Sequence, residues 1–134
     1  MAVIYVARSA KLAKWAADVG LSKHVFKLGV AEEPVKETIE KGWAGESDWM
    51  LVRKREADGV SEADAIARLA RKAKMIDPNY YPRLRGTAGV FKVVPEHVEN
   101  HILVTRSLAG DTERLDGKLK PGDFADFLIH NALR

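Results

Sequence analysis

The segment at residues 25–30, Val-Phe-Lys-Leu-Gly-Val, most constrains how this chain can fold. Its valine, phenylalanine and leucine residues favour a β-strand, and Gly29 interrupts them. A glycine inside a strand leaves the backbone uncovered, so another side chain or a ligand can approach it closely. Pro34, four residues after the segment, suits the first turn of a helix. The segment therefore predicts a strand, a loop and a helix, with a site-like position at Gly29.

An earlier apolar run at residues 3–6 has the same strand character. We expect this run to pair with the strand at residues 25–30, which would place the Tyr5 hydroxyl at the surface of a small sheet. The candidate site depends on that pairing.

Amphipathic helices and further strands alternate along the rest of the chain. The helices are predicted to begin near Ser9, Pro34, Ser61, Pro95 and Asp123, and the later strands to lie at residues 49–55 and 89–94. This order predicts an α+β fold with a small mixed or antiparallel sheet of three to four strands flanked by helices.

Domain organisation follows from the same pattern. Residues 1–109 are expected to form one α/β domain, and residues 110–134 a linker, with a polar stretch at 111–122, and a short C-terminal helix. Phe124, Phe127 and Leu128 form an apolar stripe on that helix, which should pack on the domain or on a partner chain.

Composition narrows the class of protein. A chain of 134 residues with 46% hydrophobic residues can form one compact core. It contains no cysteine, which excludes disulfides, thiolate zinc sites and thiol catalysis. Neither a signal peptide nor a membrane span is expected, and a cytoplasmic protein is the simplest interpretation. Without a glycine-rich phosphate loop, a nucleotide cofactor is not expected.

Basic residues are concentrated in residues 53–85. This segment contains nine lysines and arginines but only five acidic residues, although the whole chain carries a net charge of only +3. Arginines in this segment, with two tyrosines in a loop, suit a nucleic-acid surface because the rings stack on bases and the cations meet phosphates. The candidate nucleic-acid-binding residues are Arg53, Arg55, Arg68, Arg71, Tyr80, Tyr81, Arg83 and Arg85. The alternative interpretation of the tyrosine stretch is an ordinary loop.

The order of these elements carries a resemblance. The chain begins with a strand that contains Tyr5, followed by a strand that reads Phe-Lys-Leu-Gly at residues 26–29. A helix, a strand and a second helix come next, and then the run Val-Phe-Lys-Val-Val-Pro-Glu-His-Val at residues 90–98. In order and in several residues the chain resembles the GIY-YIG nuclease superfamily, especially its compact phage-type branch, over about residues 1–105.

The resemblance implies an endonuclease that cleaves phosphodiester bonds in DNA. Tyr5 would match the tyrosine of the first family signature, and Lys27 with Gly29 the second, which makes these three the candidate catalytic residues. Glu62 or Asp64 would hold a magnesium or manganese ion, since a hard cation prefers carboxylate oxygen.

The chain also departs from the family pattern. Glu37 lies where the family has a helix arginine that stabilises the phosphate. This favours a catalytically inactive module that binds nucleic acid as the alternative to cleavage. A protein-interaction domain that uses the C-terminal helix is a third possibility. His97 and His101, four residues apart on a predicted helix, are a further metal-binding possibility that lacks a third ligand. The oligomeric state stays open.

Overall fold

The computed structural model describes residues 1–110 and 118–134. The described strands are β1 (Ala2–Ser9), β2 (Val25–Glu32), β3 (Trp49–Glu56), β4 (Lys74–Met75) and β5 (Val90–Lys92). The described helices are α1 (Ala10–Asp18), α2 (Lys36–Lys41), α3 (Glu62–Ala70), α4 (Pro95–Leu108) and α5 (Pro121–Ala132). A 3₁₀ turn at Pro82–Leu84 precedes β5.

The strands form one sheet in the order β3-β1-β2-β5-β4, and every neighbouring pair is antiparallel. The α+β class expected from the sequence is confirmed, with five strands instead of three to four. The additional strand is β4, whose two residues are too short to give an alternating sequence pattern.

Side chains of a strand alternate between the two faces of the sheet, and each face carries its own core. Val3, Tyr5 and Ala7 of β1 pack in a cluster with residues of α1 and α2. Ile4 and Val6 pack on the opposite face, in a cluster with residues of α3 and α5. The helices therefore form one layer on each side of a single sheet.

Two helices begin at the predicted capping residues. The Ser9 hydroxyl accepts a hydrogen bond from the backbone N–H of Leu12, and the Ser61 hydroxyl accepts one from that of Asp64, both at 3.1 Å. These bonds satisfy N–H groups that have no partner within the helix.

Two predicted helix details are wrong. The last helix begins at Pro121 with Lys120 as its N-cap, and Asp123 lies inside the first turn, where its carboxylate accepts the Lys120 N–H at 2.8 Å. The apolar spacing after Ser61 predicts Leu69 and Ala70 on the buried face of α3, but the residues buried there are Ala65 and Leu69, and Ala70 is exposed.

The apolar stripe of α5 packs on the sheet of the same chain. Phe124 stacks on Phe26 of β2, with ring centroids 5.4 Å apart, and on His24, with centroids 4.7 Å apart. Phe127 and Leu128 are buried in the same core. This helix completes the sheet face that Ile4 and Val6 begin.

The predicted linker at residues 111–122 falls largely on residues 111–117, which lie outside the described residues. In the part of the chain that is described, no helix combines the length and the apolar character needed to cross a membrane.

Candidate functional site

Tyr5 and Gly29 lie directly opposite each other on β1 and β2, as the proposed strand pairing requires. The Tyr5 ring extends over the bare Gly29 backbone. A Cβ atom built at Gly29 would overlap the Tyr5 hydroxyl and would lie only 2.6 Å from the Tyr5 Cζ atom. Glycine is required at this position because the phenol occupies the space of a side chain.

Glu62 reaches the same position from a different layer of the fold. It is the first residue of α3, and its Oε1 atom accepts a hydrogen bond from the Val30 N–H at 2.9 Å. Two residues earlier on the same edge of β2, the Leu28 N–H donates to the Gly89 carbonyl at 2.8 Å. β5 pairs with β2 only as far as Lys27, so beyond that point the Glu62 carboxylate is the hydrogen-bond acceptor on this edge of β2. Its Oε1 atom would lie 2.6 Å from a Cβ built at Gly29.

Lys27 lies on the same sheet face as Tyr5 and is buried, with 4% of its surface exposed. Its ammonium donates to its neighbour's carbonyl, Leu28 O, at 2.9 Å and lies 5.3 Å from the centroid of the Trp43 ring. A cation over an indole face is attracted by the ring quadrupole. Among the described residues no carboxylate lies within ion-pair distance of this ammonium.

Burial shifts the pKa values of the Tyr5 phenol and the Lys27 ammonium in opposite directions. It raises the pKa of Tyr5 above its ordinary value, and the Glu62 carboxylate raises it further, so the phenol keeps its proton at neutral pH. Burial lowers the pKa of Lys27, and Glu62 opposes part of that change. Both shifts follow from the same low-polarity surroundings.

The Tyr5 hydroxyl has no hydrogen-bond partner among the described residues, and the residue is only 2% exposed. Its O–H therefore remains a donor for a water or a phosphate oxygen that reaches the site.

Trp43 is a site residue that the sequence pattern did not reveal. The four-residue spacing of Val35, Ile39 and Trp43 predicts that all three lie on the apolar face of one helix, but α2 ends at Lys41 and Trp43 lies in the turn that follows. Its ring stacks on that of Tyr5 with centroids 5.9 Å apart. Gly42 and Gly45, which flank this turn with positive φ, were the sequence signal for the end of the helix.

Arg83 holds the turn that carries Trp43. Its guanidinium donates to the Ala44 carbonyl at 2.6 Å and pairs with the Glu46 carboxylate. The Trp49 indole N–H donates to the Trp43 carbonyl at 3.0 Å. These contacts fix the indole above Tyr5 and Lys27.

We expect Arg83→Ala to lower the free energy of unfolding by about 2 kcal/mol, because two charge-assisted hydrogen bonds are lost at a partly buried site. The measurement is urea unfolding followed by tryptophan fluorescence. Arg85→Ala, which removes an exposed arginine two residues away, is the matched control and should change stability by less than about 0.5 kcal/mol. Equal effects of the two substitutions would contradict this role for Arg83.

The two predicted metal ligands are not equivalent. Glu62 lies at the site, whereas Asp64 is exposed two residues along α3, and residues at that spacing do not share a helix face. No group of three histidine, aspartate or glutamate side chains in the described ranges is placed to hold a metal ion. A single carboxylate suits magnesium or manganese held mainly by water and substrate phosphates, and it does not suit a cage made of protein ligands alone.

The helix position that carries an arginine in the GIY-YIG pattern holds an exposed acid here. Glu37 lies in the first turn of α2. Positive charge near the bare glycine is supplied by Lys27, from the strand and not from the helix.

Three of the candidate nucleic-acid-binding arginines bind other parts of the chain. Arg53 pairs with Asp126 of α5 at 3.5 Å, and Arg68 donates to the Ala132 carbonyl at 3.1 Å. Arg83 holds the Trp43 turn. The contacts of Arg68 and Arg83 are partly buried and give these two arginines a structural role, whereas the exposed Arg53 pair contributes little to stability.

The other candidates lie on the surface. Arg55, Arg71 and Arg85 are exposed, as is Tyr80, whereas Tyr81 is half-buried against the Trp15 side of α1. They are not brought into one cluster with Tyr5: Arg55 is on β3 and Arg71 follows α3, while Arg85 and Tyr80 lie in the segment before β5.

Comparison with the models of known protein families, with curated proteins and with solved structures finds no match to this chain. The function proposed below therefore depends on the site itself and on the resemblance of its residues to the GIY-YIG pattern.

Proposed function

We propose that the chain is a GIY-YIG-like domain that acts on DNA as a metal-dependent endonuclease. The observation that supports this is the meeting of the Tyr5 hydroxyl and the Glu62 carboxylate over Gly29, with the Lys27 ammonium on the same sheet face. A hydrogen-bond donor, a cation and a carboxylate around one backbone position are groups that phosphodiester hydrolysis uses.

Each group has a role that follows from its surroundings. Tyr5 is protonated at neutral pH, so it would position the attacking water or a phosphate oxygen by donating a hydrogen bond. Lys27 uses one of its three N–H donors on Leu28 O, and its positive charge would stabilise the charge that develops on phosphorus-bound oxygen.

In hydrolysis the water oxygen bonds to phosphorus and releases a proton to solvent, while the bond from phosphorus to the leaving sugar oxygen breaks and that oxygen takes up a proton from solvent. Glu62 would hold the magnesium or manganese ion, which lowers the pKa of a bound water and polarises the phosphate. The exposed position of Glu62 at the rim of the site allows that contact.

The test is nicking of a supercoiled plasmid with magnesium or manganese, for the wild-type chain and for Tyr5→Phe and Glu62→Gln. Each substitution should lower the rate about 100-fold, since each removes one transition-state contact. Glu62→Gln keeps an oxygen that can accept the Val30 N–H, so the fold should survive.

Glu99→Gln, at an exposed glutamate of α4, is the matched control and should cleave as wild type does. Cleavage that persists at full rate in both site variants would come from a contaminant and would refute the catalytic role of the site.

A second candidate function is a module of the same kind that binds nucleic acid without cleaving it. Glu37 favours it, because an acid in place of the family arginine repels the anion that catalysis must stabilise. Binding that weakens steeply with salt, with no nicking in either metal, would select this function.

A further inference from the structure

A lysine pair lies across strands β4 and β5, away from the Tyr5 site. Lys74 and Lys92 are direct cross-strand partners. Like charges directly opposite each other destabilise an antiparallel pair, and here the pair takes up half of a two-residue strand. A lysine on an edge strand can prevent aggregation, but this accounts only for Lys74, because β5 has neighbours on both sides.

Two surface cavities share these lysines. One, of about 140 Å³, is lined by Lys72, Lys74, Lys92 and His97 among others, and the second, of about 360 Å³, by Lys74, Lys92, Tyr80 and Tyr81 among others. Among the described residues that line these cavities Asp77 is the one acid, and its carboxylate already accepts the Asn79 N–H at 2.8 Å. The second cavity, which brings the two lysines together with Tyr80, is called the lysine groove below.

Tyr80 presents an aromatic ring at one end of the lysine groove. Its side chain is 75% exposed, while its backbone N–H donates to the Asp77 carbonyl at 3.2 Å. The Tyr81 ring packs against it with centroids 4.8 Å apart, and Tyr81 in turn packs on Trp15 at 5.8 Å. Tyr80 is therefore held in place with its ring free on the surface.

Cations beside a fixed, exposed aromatic ring form the arrangement that binds single-stranded nucleic acid, with phosphates on the lysines and a base stacked on the ring. A phospholipid headgroup or a phosphopeptide would use the lysines but gains little from the ring. Bases of a duplex are already stacked on each other, so only an unpaired base offers its face to Tyr80.

We propose that the lysine groove binds a single-stranded nucleic-acid segment, with its backbone across Lys74 and Lys92 and a base on Tyr80. This inference rests on the proposed function for the class of ligand, a phosphodiester chain, and does not require cleavage. It gives the proposed nuclease a preference for substrates with an unpaired stretch.

The test is fluorescence anisotropy with a labelled single-stranded oligonucleotide of about 12 nucleotides. EDTA is present, and all proteins carry Glu62→Gln, so that failure of the cleavage proposal leaves the result unchanged. The double substitution Lys74→Gln with Lys92→Gln should weaken binding about 10-fold and reduce the slope of log affinity against log salt by about 1.4, for two lost phosphate contacts.

Lys36→Gln with Lys41→Gln removes the same charge from exposed positions of α2 and should have a much smaller effect. Tyr80→Ala should weaken binding about 10-fold for the oligonucleotide and should not change binding of an abasic oligonucleotide of equal length.

The proposal is overturned if duplex DNA binds as tightly as the single strand, or if the two lysine doubles behave alike. It is equally overturned if Tyr80→Ala affects the normal and the abasic oligonucleotide equally, because the groove would then recognise charge alone.

Discussion

Gly29→Ala should lower the free energy of unfolding by about 3 kcal/mol, the upper end for an overpacked core. The added methyl group would overlap the Tyr5 hydroxyl and lie 2.6 Å from the Glu62 carboxylate. Tyr5 has little freedom to move, because its ring is buried and stacks on Trp43. For a chain of this size the loss corresponds to a melting temperature about 10 °C lower, measured by thermal unfolding followed by circular dichroism.

Gly59→Ala is the control for the glycine effect. Nothing lies within 4 Å of a Cβ at Gly59, so only its positive φ should cost stability, about 1 kcal/mol. In a Tyr5→Phe background, Gly29→Ala should be less damaging by about 1 kcal/mol, because the nearest atom has been removed. If Gly29→Ala were as mild as Gly59→Ala, the close approach of Tyr5 to the backbone would be wrong.

Lys27→Met should reduce cleavage about 1,000-fold while raising the free energy of unfolding at pH 7 by about 1–2 kcal/mol. The thioether fills a similar volume and removes a charge that burial disfavours. A gain in stability with a loss of activity would mark Lys27 as retained for function and not for folding.

The stability change should depend on pH. Burial lowers the pKa of Lys27 in the folded chain below its ordinary value of 10.5, so between these two values the unfolded chain holds more protons and stability rises with pH. The advantage of Lys27→Met over wild type should therefore be largest below the folded-state pKa and shrink towards pH 10.5. Urea unfolding across this range measures it.

Lys14→Met, at an exposed lysine of α1, is the control and should show no such pH dependence. The effect of Tyr5 on stability has the opposite sign. Because the pKa of Tyr5 is raised in the folded chain, stability falls as the pH rises above 10.0, the ordinary pKa of a tyrosine. An advantage of Lys27→Met that stays constant with pH would contradict the burial of the ammonium.

Features that depend on neighbouring residues could be predicted from the sequence. The pairing of the strands that carry Tyr5 and Gly29, and the caps at Ser9 and Ser61, follow from apolar runs and from hydroxyls placed before helices. Glu62 was named as a candidate, together with Asp64, through the resemblance to the GIY-YIG pattern, whereas an acid in the first turn of a helix is by itself an ordinary structural feature.

Features that depend on packing could not be predicted. Nothing local to Glu62 indicates that its carboxylate binds the Val30 N–H on the edge of a distant strand. Lys27 on a strand is compatible with a solvent-facing charge, and its burial becomes visible only when Trp43 closes over it. Trp43 continues the four-residue spacing of the apolar helix face, yet it lies two residues beyond Lys41, where the helix ends. The spacing alone therefore does not show that Trp43 leaves the helix.

The docking of α5 has a consequence for synthesis. The sheet face formed by Ile4, Val6 and Phe26 is translated well before residues 121–132, which cover it. During translation the early strands therefore leave an apolar surface exposed on the nascent polypeptide, at the stage when chaperones bind at the ribosome. Folding of this layer should be completed only after α5 has emerged from the exit tunnel.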